Sequence, residues 1–594
     1  MKYRREVDGL RALAVVPVML FHAGIGPLTG GYLGVDIFFV ISGYLITGIL
    51  LKEIAAGEFS LWRFYERRAR RILPALSVMV LACIPMAWFF MLPDPLENFG
   101  QSVVATMLSL NNVLLTMTSG YWDLASEFKP LIHTWSLGVE EQFYLIFPVL
   151  LMVAYPLLRG KTVGLVWLIV IVSYVSCILL YTRHPDATFY LLHTRAWELG
   201  AGALAAFWEH RRKFQANNLL SGLGLLLILA SMLLFTASTP HPSYWTAAPV
   251  IGTLLVLLYA RSGSVVASLL GLRPLVGIGL ISYSLYLWHQ PLFTFARVLS
   301  FDEPGKMLFV LLLAACFVIA YLSWRFVEQP FRRGSVVSVP ALVSFSLVST
   351  VSLALVGGLF HMANGFPSRV FGPDSDIAAG MHISYNHRIS RYSAAAFDPD
   401  AGTRVLVIGN SQARDFANIL IETGLMDAAQ IIYRVTLAVC EPDTLSGEDR
   451  ALVAQADVIY VPVVALPPAC NDLIASAAPG SDKIVFVGPK HFGYNLNAFV
   501  RLPVEGRPTY TTQIFPEIIA DNIGNAQAVP PEHYIDLIGC ASEDGEAIRV
   551  FDDAGNIISA DRVHITRAGA QFFAACLMNH PALAILRPPV PHGA

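Results

Sequence analysis

The chain has 594 residues, of which 55% are hydrophobic and only 14% are charged, and its mean hydropathy is +0.57. This composition excludes an ordinary soluble enzyme, and the length exceeds what one compact domain usually uses. The formal net charge of -3 says little about partners, so the distribution of charge along the chain is the more informative property.

Two apolar runs near the start of the chain predict a helical hairpin in a membrane. Leu10 to Ala23 and residues 33–51 each approach the roughly 20 residues that a helix needs to cross a bilayer. Basic residues flank the pair and are missing from the turn between them, so the positive-inside rule places both ends in the cytoplasm. Because Arg11 and His22 interrupt the first run and no small-x-small cleavage site follows closely, an uncleaved transmembrane helix is favoured over a signal peptide.

Nine more apolar spans follow. They lie at roughly 73–92, 142–158, 163–181, 194–209, 217–236, 246–261, 277–297, 307–326 and 338–361. Eleven crossings place every basic loop in the cytoplasm. The apolar segment 100–117, which contains Asn111 and Asn112, is then expected in an outer loop, although a twelfth crossing is the alternative. An odd number of crossings exports the C-terminal region.

The composition changes after about residue 363, where long apolar runs stop. Three short apolar runs at 403–409, 456–463 and 482–488 predict buried parallel strands of an α/β domain. Its four cysteines allow two disulfides in three connectivities if the domain is exported: Cys440, Cys470, Cys540 and Cys576. The predicted architecture is therefore a polytopic all-α membrane bundle of about 11 helices followed by an α/β domain.

Ionisable residues at membrane depth are the first candidate functional residues, because they are costly there. His22 lies roughly 16 Å beyond Arg11 along a helix, which puts His22 deep in the membrane and Arg11 near the cytoplasmic surface. Asp36, on the second helix, is also at membrane depth. The basic run at 67–71 carries guanidinium groups that suit phosphate oxygens. Charges of this kind are also expected beside any transmembrane helix.

Polar residues recur in two later segments, HTWSLGVEEQ (133–142) and ISYSLYLWHQP (281–291). Glu140 and Glu141 are expected to head the helix that follows, where its dipole stabilises acids. Arg195 and Glu198, three residues apart on one helix, are expected to pair.

Six segments together resemble the acyltransferase family 3 membrane proteins: YRREVDGLRALAVVPVMLFHAG, GYLGVDIFFVISGYLIT, RRARRILPAL, HTWSLGVEEQFYLIFP, ISYSLYLWHQP and WRFVEQPFR. The resemblance covers nearly all of residues 1–333, with the motifs in the order that the family has them. It implies transfer of acyl groups, most often acetyl, from cytoplasmic acetyl-CoA to extracytoplasmic carbohydrate. The family's Arg-x10-His motif maps onto Arg11 and His22, and its Arg-x3-Arg motif onto Arg67 and Arg71.

The exported region carries a candidate nucleophile. In VLVIGNSQARD, Ser411 follows a predicted strand and begins a predicted helix, near backbone N–H groups that suit an oxyanion. In DRVHITRAGA, Asp561 can orient the ring of His564, which can then activate Ser411.

Residues 400–590 resemble the SGNH hydrolase fold, whose fusion behind an acyltransferase family 3 domain is a known arrangement. The family's usual Gly-Asp-Ser block reads Gly409-Asn410-Ser411 here, which alters the hydrogen bonds of that loop. Asn471 and Asn495 are candidates for completing the oxyanion hole.

The predicted domains are a ten-helix acyltransferase family 3 domain (1–333), an additional transmembrane helix (334–362), a periplasmic linker (363–400) and an SGNH-like domain (401–594). The protein is expected in a bacterial inner membrane, in contact with membrane lipid, with its N-terminus cytoplasmic and its C-terminal domain periplasmic. The expected function is O-acyl transfer, most simply O-acetyl transfer, onto a polysaccharide or lipid-linked glycan. Lipopolysaccharide O-antigen is the first acceptor, ahead of exopolysaccharide, peptidoglycan and a secreted glycan.

The candidate site residues fall into three groups. The catalytic group is His22, Ser411, Asp561 and His564; the group for acetyl-CoA is Arg11, Arg67 and Arg71; and the supporting group is Asp36, Glu140 and Asn410. No metal-ligand spacing or nucleic-acid-binding patch is present in the sequence, so neither partner is expected. Two alternatives remain: a membrane acetyltransferase with an exported SGNH esterase, or a transporter with a degenerate glycan-binding SGNH module.

Overall fold

The chain folds into two compact units in the computed structural model. The model describes residues 3–118, 126–158, 161–236, 238–372, 385–386, 388–435, 439–441, 445–470, 481–559 and 561–587. The first unit comprises Met1–Phe89, Leu96–Ala296 and Pro304–Ala363. The second comprises Phe90–Pro95, Arg297–Glu303 and Asn364–Ala594.

The first unit is helical. The α-helices described up to residue 362 are α1 Arg5–His22, α2 Gly34–Ala55, α3 Leu61–Phe90, α4 Pro93–Met107, α5 Asn111–Thr118, α6 Thr134–Leu157, α7 Thr162–Leu180, α8 Pro185–Tyr190, α9 Leu192–Arg211, α10 Asn218–Leu234, α11 Ala247–Tyr259, α12 Val265–Leu270, α13 Arg273–Leu280, α14 Ser282–Val298, α15 Lys306–Ser323, α16 Gln329–Arg332 and α17 Val339–Met362.

These helices confirm the predicted multi-pass membrane bundle. Each of the eleven predicted spans overlaps a helix of the structure. Within the described residues, six helical segments are long and apolar enough by length and composition to cross a membrane. They are Gly31–Ala55, Leu61–Phe90, Thr134–Leu157, Thr162–Leu180, Lys306–Arg332 and Val339–Met362.

Helix α6 begins earlier than the sequence predicted. It starts at Thr134, so Glu140 and Glu141 lie beyond its first turn, and the prediction that they head the helix is wrong. Its polar first half is helical because partners within the bundle replace water. The Gln142 amide, for example, donates to the carbonyl of Ser109 at 3.0 Å and to the side chain of Asn112 at 2.8 Å.

The segment 100–117, expected as an outer loop, forms parts of α4 and α5. Its two asparagines are buried against α6 and its neighbours. Asn111 donates to the carbonyl of Leu131 at 3.0 Å and to the hydroxyl of Thr134 at 2.8 Å. These hydrogen bonds explain how two amides are accommodated in an apolar segment.

Helices α2 and α9 pack closely because two glycines lie at their contact. A Cβ atom on Gly43 would come within 1.8 Å of the carbonyl oxygen of Leu199, and one on Gly202 within 2.0 Å of that of Val40. Small residues let helix backbones approach in this way inside membranes. The pairing fixes α2, which carries Asp36 and several side chains of the cavity described below.

The second unit contains a parallel sheet. Its strands are β1 Thr403–Ile408, β2 Ala429–Arg434, β3 Val458–Pro462, β4 Ile484–Val487 and β6 Tyr534–Ile535, in the order β2-β1-β3-β4-β6. All four pairings are parallel, and Val405 of β1 lies opposite Ile431 and Val458. Strands β5 Thr511–Gln513 and β7 Ala547–Arg549 form a separate antiparallel pair.

This sheet confirms the predicted α/β domain and fits the SGNH-like fold. The three predicted strands correspond to β1, β3 and β4. Among the unit's described residues are the helices α18 Ser368–Phe371, α19 Ser411–Glu422, α20 Gly447–Gln455, α21 Pro516–Ala528, α22 Leu537–Ala541 and α23 Arg567–Leu577. Helix α19 packs on the sheet through Phe416, whose ring centroid lies 5.1 Å from that of Tyr460.

Two disulfides close loops of the second unit. Cys440 is bonded to Cys470, and Cys540 to Cys576. The sequence left three connectivities open, and the structure selects this one. The cysteines of the helical spans, Cys83, Cys177 and Cys316, are free and buried.

Candidate active sites

The first candidate site surrounds His22, the last residue of α1. Its Nδ1 atom lies 3.1 Å from Nε2 of His289, which projects from α14 and is fully buried. The other nitrogen of His289, Nδ1, lies 2.7 Å from the backbone carbonyl oxygen of Tyr286, one helical turn earlier. His22 and His289 therefore form a directly connected pair.

A third histidine lies beside this pair. The ring of His133, at the start of α6, is 5.6 Å from that of His289 between centroids and 5.5 Å from that of Tyr286. Among the described residues, no group of three or more His, Cys, Asp or Glu side chains is placed to hold a metal ion. In the sequence, His133 and His289 stand out only as members of two polar segments. No sequence motif near either residue indicates that α14 packs against α1, which brings His289 to His22.

A cavity of about 970 Å³, including its open mouth, lies in the same helical unit. Of the described residues that line it, three are arginines: Arg11, Arg68 and Arg71. Glu140 and Tyr286 also line it, so the cavity reaches from the arginines to the tyrosine that contacts His289 and His133. An anionic ligand with an apolar or acyl end matches this distribution of charge.

The arginines of the basic run separate into different environments. Arg68 faces the cavity, and its guanidinium lies 5.8 Å from the ring centroid of Tyr144. Arg67 instead forms an ion pair with Glu53 at 2.9 Å. Arg70 binds Glu66 and the carbonyl oxygens of Phe331 and Val337. Arg11 and Arg71, two of the three arginines predicted for the donor, therefore line one cavity with Arg68, whereas Arg67 is not among the described residues that line it.

The two acids of the predicted supporting group, Asp36 and Glu140, lie in different surroundings. Glu140 lines the cavity and accepts hydrogen bonds from Ser42 at 2.6 Å and from Tyr144 at 3.2 Å. Asp36 is fully buried and pairs with Arg195 at 2.8 Å. The structure therefore places Asp36 in a cluster organised by Arg195, which also lies 3.1 Å from Glu198 as predicted.

The second candidate site lies in the α/β unit and brings three predicted residues together. Ser411 is the first residue of α19, and its Oγ lies 2.5 Å from Nε2 of His564. Nδ1 of His564 lies 2.6 Å from Oδ2 of Asp561. The second oxygen of Asp561 accepts the N–H groups of Val563 and His564, both at 2.7 Å. The serine, imidazole and carboxylate form the connected chain that acyl transfer through a serine requires.

The turn that presents Ser411 depends on its two preceding residues. Gly409 has a φ of 133°, which L side chains rarely adopt, and its N–H donates to the carbonyl of Arg434 at 2.9 Å. Asn410 caps α19 by accepting the N–H of Gln412 at 3.2 Å. Asn410 thus keeps the capping role that an aspartate would have.

Of the two asparagines expected at the oxyanion hole, Asn495 has a different role. Asn495 directs its amide to the carbonyl oxygens of Arg297, Val298 and Ser300, at 3.0, 2.9 and 2.7 Å. The side-chain carbonyl oxygen of Asn495 accepts hydrogen bonds from the backbone N–H and the side-chain amide of Asn497. The candidate Asn495 was therefore wrong, because its donors serve backbone structure. Asn471 lies outside the described residues.

A buried ion pair that no sequence motif indicates lies behind Ser411. The carboxylate of Asp415, one turn along α19, forms an ion pair with Nζ of Lys490 at 2.9 Å. It also accepts a hydrogen bond from the backbone N–H of Ile565 at 3.2 Å. Both charged side chains are buried. Because Ile565 follows His564, this pair links the helix of the serine to the loop of the histidine.

Comparisons with known proteins agree with this architecture. Residues 4–325 match the family described as Acyltransferase domain. The chain is 34% identical over 356 residues to the peptidoglycan O-acetyltransferase OatA of Listeria monocytogenes, with 57% of each protein covered. It is 30% identical over 353 residues to the O-acetyltransferase OatA of Staphylococcus aureus, with 56% of this chain and 58% of that protein covered.

The chain therefore matches less than three fifths of the length of these two relatives. A putative O-acetyltransferase of Staphylococcus aureus is 29% identical over 421 residues, with 66% of this chain and 68% of that protein covered. No solved structure is significantly similar to the chain.

Proposed function

The chain belongs to the acyltransferase family 3, and we propose that it is an O-acetyltransferase of the cell envelope. In this proposal an acetyl group leaves acetyl-CoA in the helical unit, and a hydroxyl of an extracytoplasmic glycan receives it. The observation that supports this most is the connected chain of Ser411, His564 and Asp561 in a protein whose first half matches an acyltransferase family.

Three arginines that line the cavity of the helical unit support a site for the donor there. Arg11, Arg68 and Arg71 would bind the phosphates of acetyl-CoA, because guanidinium groups pair with phosphate oxygens in two-point contacts. The acetyl end would point toward Tyr286 and the histidine pair. His22 would act there as a general base or as a transient acyl acceptor.

Ser411 would carry the acetyl group before the glycan receives it. Its oxygen attacks the acetyl carbon as His564 takes the serine proton, and the bond between that carbon and the group that delivers it, Nε2 of His22 where the histidine is the acyl acceptor, breaks. Asp561 holds the ring of His564 and stabilises its positive charge until that proton is released. In the second half-reaction, a sugar hydroxyl loses its proton to His564, attacks the acetyl carbon, and Ser411 recovers its proton. The products are an acetylated sugar and free serine.

Peptidoglycan is the acceptor that we propose, in place of the lipopolysaccharide O-antigen that the sequence analysis put first. The support is the name of the relative from Listeria monocytogenes, a peptidoglycan O-acetyltransferase. We further propose a cytoplasmic N-terminus and an extracytoplasmic α/β unit. The two disulfides support this orientation, since disulfides persist in oxidising compartments.

The relay can be tested with two variants of the full chain, His22→Ala and Ser411→Ala. Base-labile acetate on purified peptidoglycan is measured in cells that lack the gene and carry either variant or the unchanged chain. The relay predicts acetate with the unchanged chain and its loss in both variants. Extra acetate after Ser411→Ala would instead indicate an exported esterase. Unaltered acetylation in both variants would contradict a catalytic role for either residue and favour the transporter.

A further inference from the structure

The contact between His22 and His289 restricts which nitrogen of each ring carries a proton. A carbonyl oxygen only accepts hydrogen bonds, so the contact of His289 Nδ1 with the carbonyl of Tyr286 requires a proton on Nδ1. In a neutral imidazole the other nitrogen is then an acceptor. Nε2 of His289 therefore presents a lone pair to its neighbour.

That neighbour is Nδ1 of His22, at 3.1 Å. Because Nε2 of His289 accepts, Nδ1 of His22 must be the donor and carry the proton of the neutral ring. Nε2 of His22 is then the nitrogen with the lone pair. A general base or nucleophile needs this lone pair, and the tautomer set by a second group decides which nitrogen has it.

We infer that His289 is a positioning residue that holds His22 in the tautomer whose Nε2 reacts. This inference rests on the proposed function and deepens it. Nε2 of His22 attacks the acetyl carbon of acetyl-CoA, the carbon–sulfur bond breaks, and CoA leaves as its thiolate. The acetylated ring keeps its proton on Nδ1 and is positively charged until the acetyl group passes to an acceptor oxygen, which breaks the bond to Nε2 and returns the ring to its neutral form. The hydrogen bond to His289 stabilises the positive charge on His22 in between, as the carboxylate does in a serine triad.

Two substitutions separate positioning from packing. His289→Gln keeps an oxygen that can accept from His22, whereas His289→Leu fills the buried space without an acceptor. A residue needed only for packing in an apolar bundle would be replaced at least as well by Leu as by Gln. A positioning acceptor would be replaced better by Gln.

The measurement is steady-state acetyl transfer by the full-length protein in lipid nanodiscs, with radiolabelled acetyl-CoA and peptidoglycan-derived glycan chains. We expect His289→Leu to lower kcat by roughly 10- to 100-fold, with KM for acetyl-CoA changed by less than about twofold. His289→Gln should retain at least about a third of kcat, since it keeps the acceptor. His210→Gln is the matched control, because His210 is exposed at the end of α9. Equal losses for Leu and Gln, or a larger loss for Gln, would overturn the inference.

Two further readouts distinguish this inference from the proposed function. If His22→Ala abolishes transfer while His289→Leu matches the unchanged chain, only the positioning role fails. If His22→Ala transfers acetyl normally, both fail. Independently of activity, ¹⁵N NMR of histidine-labelled protein in nanodiscs should find the proton of the neutral His22 ring on Nδ1. A proton on Nε2 would overturn the inference even if the variants fail to fold.

Discussion

Arg68→Gln should weaken binding of the acyl donor, whereas Arg67→Gln should have little effect on it. The two residues are neighbours on α3, but only Arg68 lines the cavity with Arg11 and Arg71. The side chain of Arg67 is 40% exposed and is paired with Glu53. The two substitutions remove the same charge from adjacent positions, so each is the control for the other.

The magnitudes follow from what each guanidinium contacts. A charge-assisted hydrogen bond to a phosphate contributes about 1.5–3 kcal/mol, so Arg68→Gln should raise KM for acetyl-CoA by roughly 10- to 150-fold. An exposed ion pair such as the one between Arg67 and Glu53 contributes about 0–1 kcal/mol. Even if the whole contribution of this ion pair were lost from donor binding, Arg67→Gln would change KM for acetyl-CoA by less than about fivefold.

The assay is KM for acetyl-CoA with full-length protein in nanodiscs, together with the dissociation constant of CoA by calorimetry. Thermal unfolding of each variant is the control for misfolding. A larger effect from Arg67→Gln, or equal effects from the two variants, would refute the assignment of the cavity as the donor site. It would also restore the sequence-based choice of Arg67.

Three predictions concern stability. Gly202→Ala places a Cβ 2.0 Å from a carbonyl oxygen, so it should lower the free energy of unfolding by about 1–3 kcal/mol or more and therefore lower the Tm. The control Gly222→Ala meets nothing within 4 Å and should leave the Tm unchanged. Equal Tm values for the two variants would contradict the close packing at Gly202. Replacing Cys540 and Cys576 by Ser opens a loop with a sequence separation of 36 and should lower the free energy of unfolding of the α/β unit by about 4 kcal/mol. The measurement is proteolysis of this unit at increasing urea concentration. An unchanged urea midpoint would contradict the prediction. Burial lowers the pKa of His491 to about 4, below the roughly 6.5 of an unfolded chain, so the free energy of unfolding of this unit should fall by up to about 3 kcal/mol as pH drops from ~6.5 to ~4. His491→Gln should remove that part of the pH dependence, and an unchanged slope would contradict it.

The hydrogen-bonded chain of Ser411, His564 and Asp561 could be predicted from sequence because its parts have local signals. A serine after a buried strand and a glycine, and an Asp-x-x-His segment near the end of the domain, each occupy a position that the fold makes predictable. Asp561 and His564 need only a turn between them. The eleven apolar spans were predictable for a similar reason, since hydropathy reports directly on burial in lipid.

The arrangement around His22 could not be predicted in the same way. Successive helical residues point about 100° apart, so Arg67 and Arg68 face different surroundings, and the sequence does not say which faces a cavity. Asp36 pairs with Arg195, which is 159 residues away. His289 is 267 residues from His22. Contacts of this kind depend on which helices pack together, and apolar spans of similar composition leave that choice open.

The most direct test of the account is mass spectrometry of the full-length protein after brief exposure to acetyl-CoA without a glycan acceptor. If Ser411 carries the acetyl group, the peptide that contains it gains one acetyl group. That group should be lost when peptidoglycan-derived chains are added, and it should not form in His22→Ala. A peptide that stays unmodified while glycan acetylation proceeds at its normal rate would contradict transfer through this serine.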